Sequence, residues 1–486
     1  YDGIWLLELN GRYDGSSRFP QHSHWAFFPS ASAGYRISQE KWFEPIRPIV
    51  SDAKIRASFG EIGNEAIGSN MFVSSISKKG DSYVYWTGDG TQKVSMYNMP
   101  SLVDADLSWE RIQTLDVGAD LGFMNNDLKV TFDWYQRTTL DMLAPAASLP
   151  GVLGATAPYT NNGTLRTRGW ELAIDWHHVF GDLVVYANAS VGDFKSKVTK
   201  WSNDTKSLNS TYQGMTYGDI WGFETDRLFT PEDFTGFDAD GNPTGYAPGV
   251  PTQVGIQTGS FVYGPGDTKY KDLNGDGKID GGEGTADNHG DLKVIGNTQP
   301  RYQYSFRLGG SWKGFDLDIF FQGIGKRDVW SQSAFVIPYY RGADAIYSNQ
   351  MDYWKGTFSG GKWTVTNADA EYPRLYAGNN GTGKVPGIDR GDKNFYPQSK
   401  WLSHMAYLRL KNLTFGYTLP QHLTRKIYLE KVRVYFSGEN LFELINNTNG
   451  AFDPEINTGD GSMSNGVFGR TDPMYRTISF GIQLTL

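Results

Sequence analysis

Strict two-residue alternation of apolar and polar side chains runs through this sequence from one end to the other. In the last stretch, Ile478, Phe480, Ile482, Leu484 and Leu486 are separated by Ser479, Gly481, Gln483 and Thr485. Successive side chains of a strand point to opposite faces, so such a segment is apolar on one side and polar on the other. Leu115, Val117, Ala119, Leu121 and Phe123 alternate in the same way with Asp116, Gly118, Asp120 and Gly122, and Leu128, Val130, Phe132 and Trp134 with Lys129, Thr131 and Asp133. Met124-Asn125-Asn126-Asp127 between them read as a tight, largely polar turn. Further on, Leu317, Ile319 and Phe321 fall on an apolar face, with Asp318 and Gln322 on the polar one.

The pattern predicts twelve strands, near 4–12, 26–38, 53–60, 109–123, 128–140, 165–178, 183–196, 301–312, 315–330, 404–419, 430–442 and 475–486. Within 404–419 the parity changes, Leu408 and Leu410 belonging to one set and Leu413, Phe415 and Tyr417 to the other, which predicts a bulge near Lys411 and Asn412. Residues 217–224 also read as extended, but a spanning strand there would break the order of the connections. Short connections at 39–52, 124–127, 179–182, 313–314 and 420–429 alternate with long ones at 61–108, 141–164, 197–300, 331–403 and 443–474. Consecutive hairpins place alternate connections at opposite ends of a sheet, so every long loop falls at one end. Outer-membrane barrels carry this asymmetry, with short periplasmic turns and long extracellular loops; a soluble sandwich or propeller has no reason to segregate loop length. The expected fold is all-β, an antiparallel transmembrane β-barrel with the C-terminus in the periplasm.

Composition agrees with a two-faced sheet. Aromatic residues reach 15 % and glycines number 58, yet mean hydropathy is only −0.46. There is no run of about 18 apolar residues for a transmembrane helix, whereas barrel strands cross with roughly 9 to 11. A net charge of −8 argues against binding nucleic acid, and the absence of cysteine excludes disulfides and thiolate chemistry. The opening Tyr1-Asp2-Gly3-Ile4-Trp5 is no signal peptide, so the chain is expected to begin inside a longer protein. No nucleophile elbow, P-loop or dinucleotide fingerprint occurs, and no enzyme is expected.

A series of short motifs carries a family resemblance. They include Arg12-Tyr13-Asp14-Gly15-Ser16-Ser17-Arg18-Phe19, Phe28-Pro29-Ser30-Ala31-Ser32-Ala33-Gly34-Tyr35-Arg36, Lys54-Ile55-Arg56-Ala57-Ser58-Phe59-Gly60 and Gly63-Asn64. Arg168-Gly169-Trp170-Glu171, Asp272-Leu273-Asn274-Gly275-Asp276-Gly277, Tyr372-Pro373-Arg374, Tyr407-Leu408-Arg409-Leu410-Lys411-Asn412-Leu413, Glu439-Asn440-Leu441-Phe442 and Asp453-Pro454-Glu455 follow in order. In number and order they resemble the SusC-like (SusC/RagA) family of TonB-dependent transporters of the Gram-negative outer membrane. The resemblance implies that residues 1–486 are the C-terminal part of one barrel domain, the last twelve of about 22 strands, with the plug and first strands absent. It further implies import of oligosaccharide or peptide, a SusD-like lipoprotein as lid, and energy from TonB-ExbB-ExbD through the absent N-terminal part. Leu486 departs from the aromatic residue with which the family usually ends.

Asp272 to Glu283, within the long loop 197–300, fit an EF-hand loop template. Asp272, Asn274 and Asp276 stand at positions 1, 3 and 5, Gly277 at the sharp turn, Lys278 at the carbonyl position, Asp280 at 9 and Glu283 at 12. Hard oxygen ligands at this spacing favour calcium; the alternative is a Gly/Asp turn made for backbone reasons. Trp86, Tyr97, Trp221, Tyr263, Tyr339, Tyr340, Trp354 and Trp363 lie in long loops, where rings stack on sugars or peptides, or pack a loop core. His22, His24, His177 and His178 read as solvated or interfacial histidines, not ligands. A passive porin, an adhesin without TonB coupling and a secreted carbohydrate-binding β-protein are the competing functions.

Overall fold

The structure is a computed structural model; it describes residues 1–79, 84–86, 93–146, 149–257, 261–331, 335–338, 346–376, 394–448, 453–455 and 472–486. All twelve expected strands are present: β1 (Trp5–Gly15), β2 (Trp25–Arg36), β3 (Val50–Asn64), β4 (Glu110–Phe123), β5 (Leu128–Pro145), β6 (Tyr159–Phe180), β7 (Leu183–Lys200), β8 (Arg301–Trp312), β9 (Phe315–Lys326), β10 (Tyr407–Thr418), β11 (Lys431–Asn446) and β12 (Thr477–Thr485). They form one sheet whose strand order is the chain order. No helix among the described residues is long and apolar enough to cross a membrane.

Several strands run further toward the long loops than alternation predicts. β5 and β6 stay paired as far as Pro145 with Tyr159, because ladder hydrogen bonds come from the backbone and continue where the apolar pattern stops. The bulge falls where the parity change placed it: Phe320 pairs with Asn412 and Phe321 with Leu410, leaving Lys411 unopposed. Leu410 thereby joins Leu413 on the apolar face. The expected strand 315–330 divides after Lys326, and Asp328–Trp330 pairs instead with Leu402–His404. Within 217–224, Asp219–Phe223 is extended and pairs with Leu292–Asn297 in a ribbon of its own, outside the twelve-stranded sheet.

The chain divides into two compact units, residues 1–177 with 192–217, and 178–191 with 218–486. In the first, the polar face is organised by Arg56, which reaches Asp133 at 2.6 Å and Asp116 and Asp120 at 3.3 Å each. On the apolar face, Trp5 stacks on Tyr35 at 4.2 Å and Tyr13 on Trp25 at 5.2 Å. Exposed Leu7 and Leu9 lie between these aromatic pairs, so rings bracket an aliphatic band as they do at lipid headgroups. At the long-loop end Phe19, Phe28, Ile67 and Trp109 form a small core, closed by Trp109 Nε1 donating to the Ser23 carbonyl at 3.1 Å.

In the second unit, Asp318 on the polar face accepts from Arg307 Nε at 2.6 Å and from the Tyr186 hydroxyl at 2.5 Å, and Asp316 accepts from Arg433 Nε at 2.9 Å. Tyr186, Tyr304 and Tyr435 lie across Gly309, Gly323 and Gly481 of neighbouring strands, as Tyr135 lies across Gly169 in the first unit. A Cβ on any of these glycines would sit 2.3–2.7 Å from the ring, so a side chain there would displace the tyrosine. The turn Lys313-Gly314 takes positive φ at both residues (46° and 92°), matching the twist of the hairpin it closes. On the apolar face, Phe480 and Ile482 are 80 % and 69 % exposed, surface that water disfavours and lipid accepts. Ile319, paired with Leu308 and Leu413, belongs to the same face. We predict that Ile319→Arg, near mid-bilayer, costs ~2–4 kcal/mol, seen as loss of the heat-modifiable band. Thr414→Arg, opposite Asp318 on the polar face, keeps that band.

Candidate functional site

Most of the second unit's long connections fold into a substructure with a core of its own. Short ribbons shape it, Thr225–Leu228 with Thr268–Tyr270 and Phe234–Phe237 with Pro243–Tyr246. Phe223, Phe229, Phe234, Ile256, Phe261, Tyr263, Tyr270 and Ile279 are buried together. Loops this long need an internal core to hold a fixed shape. Buried amides stitch it: Gln253 donates to the Thr268 carbonyl at 3.1 Å and accepts from Tyr270 N at 2.7 Å, while Gln398 accepts from Thr225 Oγ1 at 2.9 Å.

Three charged groups tie distant segments together. Asp267, fully buried, accepts from Gly264 N, Tyr376 Oη and Asn394 Nδ2, each at 2.8 Å. Burial raises its carboxyl to about 6, against the pull of Asn394 and the Arg374 charge. Glu224 accepts from Lys271 at 2.6 Å and from Lys293, and these two ammonium groups hold its carboxyl down to about 2. The third is Arg409, buried beside Glu443, 2.8 Å from Asp453 and 2.9 Å from Glu455, which also meets Lys411 at 2.8 Å. The Arg409–Glu455 contact is an ion pair whose angle misses hydrogen-bond geometry. It joins residues 453–455 to β10.

The loop 272–283 adopts the turns its sequence calls for. Asp272 accepts from Gly275 N at 2.6 Å and from Gly277 N at 2.8 Å, and both glycines have positive φ (78° and 79°). Asn274 and Asp276 accept from the amides two residues on, and Asp280 from Gly282 N at 2.8 Å. Lys278 forms a parallel bridge with Thr252, and Glu283 N donates to the Asn288 carbonyl at 3.1 Å. Buried Ile279 anchors the loop in the core. Asp291, fully buried and not singled out by the sequence, accepts from Leu273 N at 2.7 Å and Asp280 N at 3.0 Å. Among the described residues, no three acidic or histidine side chains gather as a metal-binding group.

The aromatic candidates do not form one platform. Tyr263 and Trp354 are buried, Trp354 lying across Gly266 and Gly356, where any side chain would collide with its ring. Trp363 packs 5.7 Å from Trp354 and donates Nε1 to the Gly241 carbonyl. Trp221 tilts against His289 at 5.2 Å, with its Nε1 buried and without a hydrogen-bond partner among the described residues. Trp86 ends the short strand Val84–Trp86, its side chain outside the described residues, as are Tyr339 and Tyr340 altogether. In the first unit, Tyr97 is exposed and lines a cavity of about 720 Å³. His22 and His177 stand 3.4 Å and 3.9 Å from Asp106 and Asp127, and His178 meets the Phe180 ring at 4.3 Å. Sequence reasoning missed Asp267, Glu224 and Asp291; the one local signal was the turn Gly264-Pro265-Gly266 before Asp267.

An antiparallel sheet in chain order, one apolar face framed by aromatics and long connections at a single end define the wall of a membrane β-barrel. The chain belongs to the TonB-dependent receptor-like β-barrel family, which it matches over residues 1–441. It is similar to TonB-dependent receptor P3 of Formosa agariphila, 26 % identical over 100 % of this chain and 44 % of that protein. It is also similar to TonB-dependent receptor SusC of Bacteroides thetaiotaomicron, 25 % identical over 94 % of this chain and 40 % of SusC. The RagAB peptide importer in its open-open state has the same fold, with a TM-score of 0.68 and 21 % identity over 100 % of this chain and 45 % of that one. The chain thus spans a little under half the length of the relatives it matches.

Asp267 yields a pH prediction. Its folded value lies above the ordinary 3.8, so between pH 3.8 and about 6 the folded loops hold a proton that the opened loops release. The resulting stabilisation is complete below 3.8 and is lost as pH rises through about 6. Opening of 261–270 and 372–376 should become easier by on the order of tenfold between about pH 5 and 7.5. Amide hydrogen exchange, corrected for the intrinsic rate, reads this directly; an Asp267→Asn variant should show no such change, and an equal change in both would refute the assignment.

Proposed function

We propose that this chain is barrel wall and outer loops of an energised outer-membrane importer of oligosaccharide or peptide, acting with a SusD-like lipoprotein lid and driven through TonB-ExbB-ExbD. Family membership carries the reading, and the relatives named SusC and RagAB peptide importer support it. A loop substructure with its own buried core adds support, since a passive pore has little use for ordered loops of this size. The test is uptake by cells carrying the full-length gene. Dissipating the proton-motive force or deleting TonB should abolish uptake; uptake that continues in both cases favours the passive porin.

Calcium at 272–283 is part of the proposal. The turn-forming glycines, the anchoring Ile279 and the oxygens of Asp272, Asn274, Asp276, Asp280 and Glu283, with the Lys278 carbonyl, suit a hard divalent cation. Binding would draw the later carboxylates toward Asp272 and neutralise them, fixing the backbone that leads into β8. Replacing Asp272 and Asp276 by Ala should leave the sheet intact while raising hydrogen exchange across 265–295, as EDTA should in the unmodified protein. Exchange across 265–295 that ignores EDTA would reduce the loop to a Gly/Asp turn.

A further inference from the structure

In the first unit the apolar face of the sheet changes character one step beyond its aromatic residues. Trp134 of β5 stands opposite Trp170 of β6, next to the apolar pairs Phe132–Leu172 and Val130–Ile174. The following two pairs on the same face are Gln136–Arg168 and Thr138–Arg166. They lie toward the long connections, so Trp134 and Trp170 mark the outer edge of the lipid-facing band and the two arginines stand where lipid headgroups begin. β7 adds two more cations. Thr167 Oγ1 meets Ser196 Oγ at 2.7 Å, Thr199 Oγ1 donates to the Thr164 carbonyl at 3.3 Å, and a Cβ on Gly192 would lie 3.2 Å from Glu171 Cγ. These three contacts share one antiparallel register, which sets Arg166 opposite Lys197 and Arg168 opposite Lys195.

Residues directly opposite each other share a face, with Cβ atoms roughly 5 Å apart, and successive residues on one face of a strand are ~7 Å apart. Four basic side chains are therefore rooted in a small patch, and all four are exposed. Like charges directly opposite work against strand pairing unless a counter-charge lies between them. The described residues supply none. Arg168 has one hydrogen bond, to the neutral Gln136 Oε1 at 2.8 Å, and no described carboxylate pairs with any of the four. Two acids on this face are engaged already: Glu61, buried, with Arg111 and Gln113, and Asp193, buried opposite Trp170, with a partner of its own. The polar face of the same unit does the reverse, meeting Arg56 with three aspartates. A basic patch continuous with an apolar band complements an amphiphile, whose phosphate takes the paired donors of arginine while its chains cover the band. A soluble anion would use the charges and leave the adjoining apolar surface bare.

We propose that Arg166, Arg168, Lys195 and Lys197 form a site for the phosphorylated headgroup of an outer-leaflet glycolipid, whose acyl chains lie along the apolar band. The experiment uses the full-length transporter purified in detergent, with native mass spectrometry to count bound molecules. Diphosphoryl lipid A, its dephosphorylated form and inorganic phosphate are titrated separately. One variant combines Arg166→Gln with Arg168→Gln. The control, Arg137→Gln, removes a charge at the same level on the polar face, where Arg137 stands opposite Thr167. A heat-modifiable band in both establishes that the barrel has folded. Each basic side chain near an anionic lipid strengthens binding on the order of fivefold. The double variant should therefore hold diphosphoryl lipid A at least tenfold more weakly, with Arg137→Gln matching the unmodified protein. Dephosphorylated lipid A should bind all three proteins alike, and more weakly than the diphosphoryl form binds the unmodified one. Equal affinity in the double variant, dephosphorylated lipid bound as tightly as the diphosphoryl form, or inorganic phosphate bound as tightly as the lipid would each overturn the site.

Discussion

Backbone amides and carbonyls have no water to bond with in hydrocarbon, and each one left unpaired there costs several kcal/mol. Crossing segments meet that constraint by having a neighbour on each side, and the sheet running in chain order gives one to every strand between β1 and β12. Much else follows from it. Each strand has one face for lipid and one for the interior, which sets the two-residue alternation. Each hairpin returns the chain to the same end, which confines bulk to one set of connections. The interior face needs polar groups that satisfy each other, hence Arg56 among three aspartates and Asp318 between Arg307 and Tyr186.

At the long-loop end the constraint is lifted, and the physics changes from ladder pairing to burial. The second unit's loops hold their shape as a soluble domain does, with buried aromatics, satisfied amides and a few charges placed where segments meet. Asp267 shows how much one group can do, receiving donors from its own turn at Gly264 and from Tyr376 and Asn394, far along the chain. The Arg409 cluster does the same: removing the guanidinium would leave three carboxylates crowded, with Lys411 still paired to Glu455.

The strands were legible because alternation is a local property, and even the bulge at Lys411 could be read from a change of parity. Boundaries were less legible, since pairing at Thr160 or Asn446 depends on what the partner strand supplies and not on the residue's own polarity. The loop substructure was largely illegible. Nothing in the order of residues states that Tyr263 and Trp354 turn inward while Tyr97 turns outward, because that depends on contacts between segments far apart in sequence. The short motifs around Arg409 and Asp453 could be read one by one, but not that their charges meet. The Asp/Gly loop was legible as a set of turns, whereas Asp291, which holds it from within, was not.

Glu224 grips Lys271 just before that loop and Lys293, which lies past Asp291 in the strand that follows. The two ends are therefore held together by a residue outside the loop, and the chain between them is a closed ring with a fixed base. Its exposed rim around Asp287, past the last candidate ligand, can vary in length and sequence without disturbing the strands on either side. Such an arrangement lets natural drift, or a deliberately grafted epitope, remodel the outward face of the protein while the fold beneath stays the same.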